Sequence, residues 1–569
     1  MSEGINEVEE NDKNENILPN EQVESNKNFS KKKMIMLYSV AIVGIIIIIS
    51  YLIIISSHSK KKKESNIIIE EANIITLKFK PDSGAQTMLF NPKYLNLISS
   101  IEIDGQNISN INNTFKFNST DLHIVELKIK NNIDSLDQMF KNNLKLIEVD
   151  LSKMETKNIK NMSEMFYECN YLKKIDFGNF NSEKVENMSH LFHGCIYLES
   201  IDLNNFDTSN AIDMQFMFYR CISLKFLNIT NLKTNNLKEV KGMFSNCKYL
   251  TNIEIGNNFI TSKINDISEL FCSCEELKEI DLNNFDTSNV TNMYKLFFNC
   301  RRLTSMDLSK FDTSNVKIMS GMFQGCSGFS SIDLSNFKTS NVEDMSYMFD
   351  SCLALTSLNL KNLDTSKVKY MNQMFCRMYS MDNFDFSNFN TSEVINMEGM
   401  FDFCTSLIYL DLSNFDTSKV TDMSFLFAAA KNLISVDLSN FNTQNVITMS
   451  HMFYGCHSLI ELDLSSFDAS NLKSMWLMFN ECKSIKSLNL SNFDTQNTEN
   501  MGGVFSQCES LDMIDIRNFD SSGLKIKETN LFPYIGFEGT IYYNSDKFES
   551  NLLDYDRINN WTQIDVKDN

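Results

Sequence analysis

The chain has 569 residues, 43% hydrophobic and 22% charged, and its 73 Asp and Glu against 52 Lys and Arg give a net charge of −21. That acidity argues against a nucleic-acid binder, which needs a basic face to displace counterions from phosphate, and so much apolar content excludes a disordered polyanion. Only four Pro and 18 Gly exclude collagen-like and Pro-rich architectures, whereas 44 Phe, 31 Met and 14 Cys call for an explanation.

Residues 1–33 read as a short, polar, disordered tail. Residues 34–57 carry no charged side chain. At about 1.5 Å per residue they reach across a bilayer core of roughly 30 Å, so they are predicted to form a single transmembrane helix. The run is too long and too far from the start to be a signal-peptide core. Lys27 and Lys31 to Lys33 precede it and Lys60 to Lys63 follow it, so flanking charge does not orient it. The expected placement is a cell membrane, single-pass, with the short tail inside and the rest extracellular. Residues 58–73 read as a linker. Beyond it lie ten N-x-S/T sequons, candidate glycosylation sites in an extracellular region: Asn107, Asn112, Asn118, Asn161, Asn187, Asn228, Asn289, Asn390, Asn489 and Asn560.

Residues 74–132 form an expected β-rich N-terminal cap. Leu77–Lys80, Ile101–Asp104 and Ile124–Ile129 alternate apolar and polar residues as strands do. From 133 to 523 the chain repeats itself. A Phe recurs every 26 residues from Phe140 through Phe297 to Phe505, with one step of 27 between Phe244 and Phe271. In the unit beginning at Leu277, the residues Leu277, Ile280, Leu282 and Phe285 predict a short strand. Asp286, Thr287, Ser288 and Asn289 have turn and helix N-cap chemistry. Val290, Met293, Leu296, Phe297 and Cys300 then fall on one face of a predicted short helix. Neither element can bury its apolar face alone, so successive units must stack. The Phe, Met and Cys excess is thus one unit's core written again and again. Residues 524–569 are a predicted C-terminal cap, with Thr540–Tyr543 as a strand and Trp561 over the last coil.

These repeats resemble the BspA-like leucine-rich-repeat surface proteins, whose units look like L-x-x-L-D-L-S-N-F-D-T-S-N-V-x-x-M-x-x-M-F-x-x-C; residues 407–427 here read LIYLDLSNFDTSKVTDMSFLF. The resemblance implies an α/β solenoid. The expected whole is a leucine-rich-repeat-like right-handed coil of about 15 strand–turn–helix repeats, with the small β cap and the one N-terminal transmembrane helix read above; the helix departs from how many of that family are anchored. The resemblance also implies adhesion or protein–protein recognition, with extracellular, host or matrix proteins as partners.

Twelve cysteines share one register, three residues after the Phe, from Cys169 to Cys508. Met378 and Ala430 occupy that register in two units, and they share apolarity with Cys but not its redox chemistry, so the thiols read as free and buried. Cys272 and Cys376 lie off the register and are the expected exposed thiols. A strand row of Asp, including Asp281, Asp307, Asp411 and Asp437, offers one carboxylate per unit. That falls short of a calcium site's six to eight oxygens, so it reads as a solvated row bonding to Ser or Asn of neighbouring coils. His190 and His193 could pair on a metal but lack a third ligand. No phosphate loop, nucleophile elbow or H-E-x-x-H occurs, so no enzyme, cofactor or small-molecule substrate is expected. Specificity is expected where units differ, just after the Cys register. The partner-binding candidates are Tyr171, Tyr197, Tyr249, Arg301, Arg302 and Tyr379, types enriched in binding hot spots. A self-associating structural coat and a receptor acting through its tail are the alternatives.

Overall fold

The computed structural model describes residues 73–131, 133–525, 530–553 and 558–567. The tail, the predicted membrane segment and the linker through residue 72 lie outside them. Among the described residues no helix is long and apolar enough to cross a membrane. The expected single-pass anchor, and with it the cell-membrane placement, is therefore not seen.

The described chain begins with antiparallel strands: β1 (Ile74–Phe79), β2 (Gln86–Met88), β3 (Ile98–Ile103), β4 (Gln106–Asn107), β5 (Thr114–Lys116) and β6 (His123–Ile129). β1 lies between β6 and β7 (Leu146–Lys153), antiparallel to both, while β2 pairs separately with β5. β7 is also the first solenoid strand, because β8 (Lys174–Asp176) pairs with it in parallel. Thus β7 converts the antiparallel cap into a parallel stack. Ile75, Leu77, Val125 and Leu127 are wholly buried, which is the apolar half of the alternation read in the sequence.

Beyond β7 the chain is a β-solenoid of about 16 turns, not an α/β solenoid. Among the described residues there is no α-helix, only short 3-10 turns such as Pro92–Leu97. The segment expected to be helical is a row of tight turns. In the unit at Leu277, the N–H groups of Met293, Lys295, Phe297 and Asn299 donate to the carbonyls of Ile318, Ser320, Met322 and Gln324 in the next coil, at 2.7–2.9 Å. The intervening N–H groups of Leu296, Phe298 and Cys300 close three-residue turns onto Met293, Lys295 and Phe297. An α-helix would spend those donors on its own carbonyls four residues back.

Spacing decides between the two. Neighbouring helices stand about 8–10 Å apart, whereas paired strands stand about 4.8 Å apart. The Phe rings of successive coils, from Phe140 to Phe532, stack with centroids 5.3–6.0 Å apart. Coils that close leave no room for helices. The apolar positions chosen by the sequence pattern are nonetheless buried: Val290, Met293, Leu296, Phe297 and Cys300 are at most 1% exposed. The 27-residue step is absorbed between Ile255 and Phe259, where Phe259 N–H bonds back to Gly256. A Cβ on Gly256 would stand 2.4 Å from the Thr230 carbonyl oxygen, so this detour needs glycine.

The Asp-Thr-Ser-Asn turn has a role other than capping. Thr287 is 1% exposed; its hydroxyl donates to the Asp312 carbonyl at 2.9 Å and accepts from the Asp312 N–H at 2.8 Å. The same clamp recurs at Thr313, Thr417 and Thr443. Each coil is thus tied to the next by a buried hydroxyl. The last strands, Ser487–Asn489, Met513–Asp515, Thr540–Tyr543 and Thr562–Asp565, form one parallel sheet. Trp561 is buried there and donates to the Gly536 carbonyl at 3.0 Å.

Candidate functional site

Because every coil repeats the same backbone path, residues one repeat apart form straight rows along the solenoid. A site must therefore be a departure within a row. Two residues past the register Cys runs a row holding Tyr171, Tyr197, Tyr249 and Arg302. Two residues further, beside the strand, runs a row holding Lys173 and Ile408. Between these rows lie two separate grooves, one toward each end of the solenoid.

The N-terminal groove has a volume of about 480 Å³ and is lined by Lys80, Leu144, Lys145, Tyr171, Lys173 and Tyr197, among others. Tyr171 and Tyr197 stack there, centroids 5.2 Å apart and planes within 12°, yet both remain nearly half exposed. Lys145 pairs with Asp82 at 2.7 Å. Stacked, exposed aromatics beside lysines present a rigid apolar face with local positive charge on an acidic molecule. The structure brings these two candidates together. Tyr249, 57% exposed, stands alone further along the same row. Arg302 Nε lies 3.6 Å from Glu276 and Arg301 lies 3.7 Å from Glu275, so both guanidiniums are paired within the protein. Tyr379 is exposed three coils beyond Arg301.

The sequon asparagines divide by what their side chains already do. Asn107, Asn112, Asn118 and Asn560 are exposed. The Asn289 amide donates to the Ser262 carbonyl at 2.8 Å, and that of Asn228 to Glu254 at 2.6 Å. Asn161, Asn187, Asn390 and Asn489 each accept a backbone N–H two residues on.

The Asp row works within its own coil, not between coils as expected. Asp281, Asp307, Asp411 and Asp437 each accept the backbone N–H two residues later, at 2.9–3.0 Å. At Asp307 and Asp411 the Ser hydroxyl and N–H that face the carboxylate hold its pKa below the usual range. Among the described residues no group of three or more His, Cys, Asp or Glu could hold a metal ion.

All fourteen cysteines are buried and free. This corrects Cys272 and Cys376, expected to be exposed, which are 7% and 1% exposed. Register thiols donate to the Phe carbonyl of the preceding coil, as Cys300 does to Phe271 at 3.1 Å. Burial pushes them up, Cys169 to about 12.

Three further departures stand out: one is the His190–His193 pair weighed in the sequence as a metal pair, and the other two were not singled out there. On the turn row, His190 and His193 face each other, Nδ1 to Nδ1 at 3.1 Å, among Tyr167, Phe216 and Tyr219. Burial, then the neighbouring His190 and Arg220, lower His193 to about 4, so the pair is uncharged at neutral pH. Two coils from Arg377's partner sits Asp402. Arg377 grips the buried Asp350 with two bonds of 2.9 and 2.8 Å, while burial raises Asp402 to about 7 and leaves its Oδ1 without a hydrogen bond. Third, a separate groove of about 740 Å³ lies toward the C-terminal end between Ser406, Asn432 and Ser458 on one side and Ile408, Ile434 and Ile460 on the other. Three isoleucines in one exposed register were the available signal for it.

The sequence model of the family described as "Mycoplasma protein of unknown function, DUF285" matches residues 95–175, 134–258, 238–357, 264–383, 353–459 and 432–547. No curated protein matches. Among solved structures the chain is similar to that of a TLR13–ssRNA13 complex, at 13% identity and a TM-score of 0.22, over 77% of this chain and 80% of that one. It is also similar to the functional domain of InlJ from Listeria monocytogenes, at 11% identity and a TM-score of 0.18, over 81% of this chain and 77% of that one.

Proposed function

The chain belongs to the DUF285 family, and from that premise we propose that its solenoid is a non-catalytic module for adhesion or protein recognition. The observation that carries the reading is the Tyr171–Tyr197 stack, exposed beside Lys80 and Lys173 in the N-terminal groove. Two rigid aromatic faces lose little conformational entropy on binding, and flanking ammonium groups select a partner that presents a carboxylate beside an apolar side chain. Tyr249 extends the contact along the same row. The Asp carboxylates of the strand row, tied to their own backbone, are poor general bases. The finer likeness to BspA-like proteins, carried by the motif at residues 407–427, belongs to the same proposal, and it makes matrix or host proteins the partners to test.

The test is binding of the full chain to immobilised matrix and host proteins, with and without the Tyr171→Ala, Tyr197→Ala pair. Removing two anchor residues is expected to weaken binding at least about 30-fold, since each anchor is worth more than about 1 kcal/mol. Binding unchanged in the variant would dismiss this site, and no binding to any such protein would dismiss recognition of that class.

A further inference from the structure

The C-terminal groove is self-complementary. In the row beside the strand, every coil from Lys173 through Thr356 to Asp382 is polar; the next three are Ile408, Ile434 and Ile460, and Lys486 follows. Ile408 and Ile460 are 40% and 49% exposed. The three belong to consecutive coils, since Ile434 N–H bonds to Ile408 and Ile460 N–H to Ile434. Read outward from Ile434 in either direction, the order is isoleucine and then a charge, with Asp382 at one end and Lys486 at the other. The parallel row across the groove reads Ser380, Ser406, Asn432, Ser458, Ser484, the same forwards and backwards about Asn432. Among the described residues neither Asp382 nor Lys486 makes an ion pair, although Lys225 and Glu199 of the same row do, at 3.1 Å.

We propose that this face is the interface of a two-fold dimer in which a second copy runs antiparallel, with the axis lying along the strand direction through Ile434. A two-fold contact is isologous: residue i meets j and j meets i. Ile434 then meets itself, each Ile408 meets the other Ile460, and each Asp382 meets the other Lys486. A second copy is favoured over an unrelated chain by spacing. The ridge repeats once per coil, about 4.8 Å, whereas an extended peptide returns a side chain to one face only about every 6.6–6.8 Å. Only a stack of the same coils stays in step along the ridge. The parallel arrangement about the other in-plane axis would set Asp382 against Asp382 and Lys486 against Lys486, so charge selects the antiparallel one. The Asp411, Asp437 and Asp463 row lies three residues along the strand, about 10 Å from the ridge. It also faces its own copy about this axis, a repulsion that salt screens and that the isoleucine ridge and the Asp382–Lys486 contacts outweigh. The dimer is closed, so it does not propagate into a coat.

Sedimentation velocity on the full chain across a dilution series tests this. The chain is expected to pass from monomer to dimer. Ile434→Lys, which sets two ammonium groups on the axis, is expected to raise the dissociation constant at least about ten-fold, and Asp382→Lys alone by about ten-fold. Adding Lys486→Asp to Asp382→Lys restores both ion pairs and is expected to restore dimerisation. The double exchange also answers the objection that a single variant has merely unfolded. A chain that stays monomeric, association unchanged in Ile434→Lys, or failure of the double exchange to restore it would each overturn the proposal. None of these variants touches Tyr171 or Tyr197, so failure here leaves partner recognition standing.

Discussion

Single side chains in this protein are best understood by asking which coil they serve. The buried Thr hydroxyl serves two: it completes the backbone donor and acceptor of the next coil. Thr313→Val keeps the shape but strands the Lys338 N–H and carbonyl, and should destabilise by about 1–3 kcal/mol. Ala469 occupies this register without a hydroxyl, so Ala469→Thr should stabilise by about 0.5–1.5 kcal/mol. Urea midpoints of the two variants check both signs, and a shift in the same direction for both would refute the clamp. Asp402 makes a second residue-scale prediction. Burial raises its folded pKa to about 7, above its ordinary 3.8, so the native state holds the extra proton between those values. Stability from this group is fully present at acid pH and is lost as pH rises through about 7. Arg377, Cys376 and Asp350 face it; the Arg377 charge and the Cys376 thiol lower its pKa, Asp350 raises it, and burial outweighs them. His193 acts in the opposite direction, losing stability as pH falls from its ordinary 6.5 toward about 4. Comparing Asp402→Asn with the parent separates them: thermal midpoints of the variant should lack the loss near pH 7, and an unchanged profile would dismiss the assignment.

At the scale of the element, the sequence located the buried residues but misjudged the backbone that carries them. Offsets of 3, 6, 7 and 10 from Val290 suit a helix face, and a row of turns buries the same positions. The discriminating signal was present. Within each supposed helix two positions take left-handed backbone, as at Lys295 with φ of 50° and Asn299 with φ of 56°. Glycine recurs at those positions, as Gly242, Gly321, Gly399 and Gly503 in one row and Gly194, Gly325 and Gly455 in the other. Glycine inside a helix costs about 1 kcal/mol, so its return at fixed places argues for turns. Where other residues fill these positions, inter-coil hydrogen bonds offset the strain. Of the proposed recognition surface, the Tyr171 and Tyr197 register was legible because the positions after the register Cys vary between coils and hold aromatics there. The isoleucine ridge was signalled by three isoleucines in a register outside the repeat's core positions, but that they line one groove comes from the fold, which buries Leu407 and leaves Ile408 40% exposed.

For the whole molecule, stability is a sum over neighbouring coils, with the phenylalanine stack and the hydrogen-bond rows repeated at each interface. The negative charge lies partly in the Asp row, spent on turns within each coil, and so leaves the grooves free to vary. Recognition and dimerisation can then occupy different stretches of one frame. That frame rests on coils without helices, and it is tested most directly by far-ultraviolet circular dichroism of the full chain and of a variant lacking residues 301–404. The deletion removes four repeats and joins Cys300 to Thr405 in register, so the variant should still fold. The difference spectrum, which isolates those four coils, is predicted to be that of β structure and turns; a helical double minimum in the difference would contradict the solenoid described here.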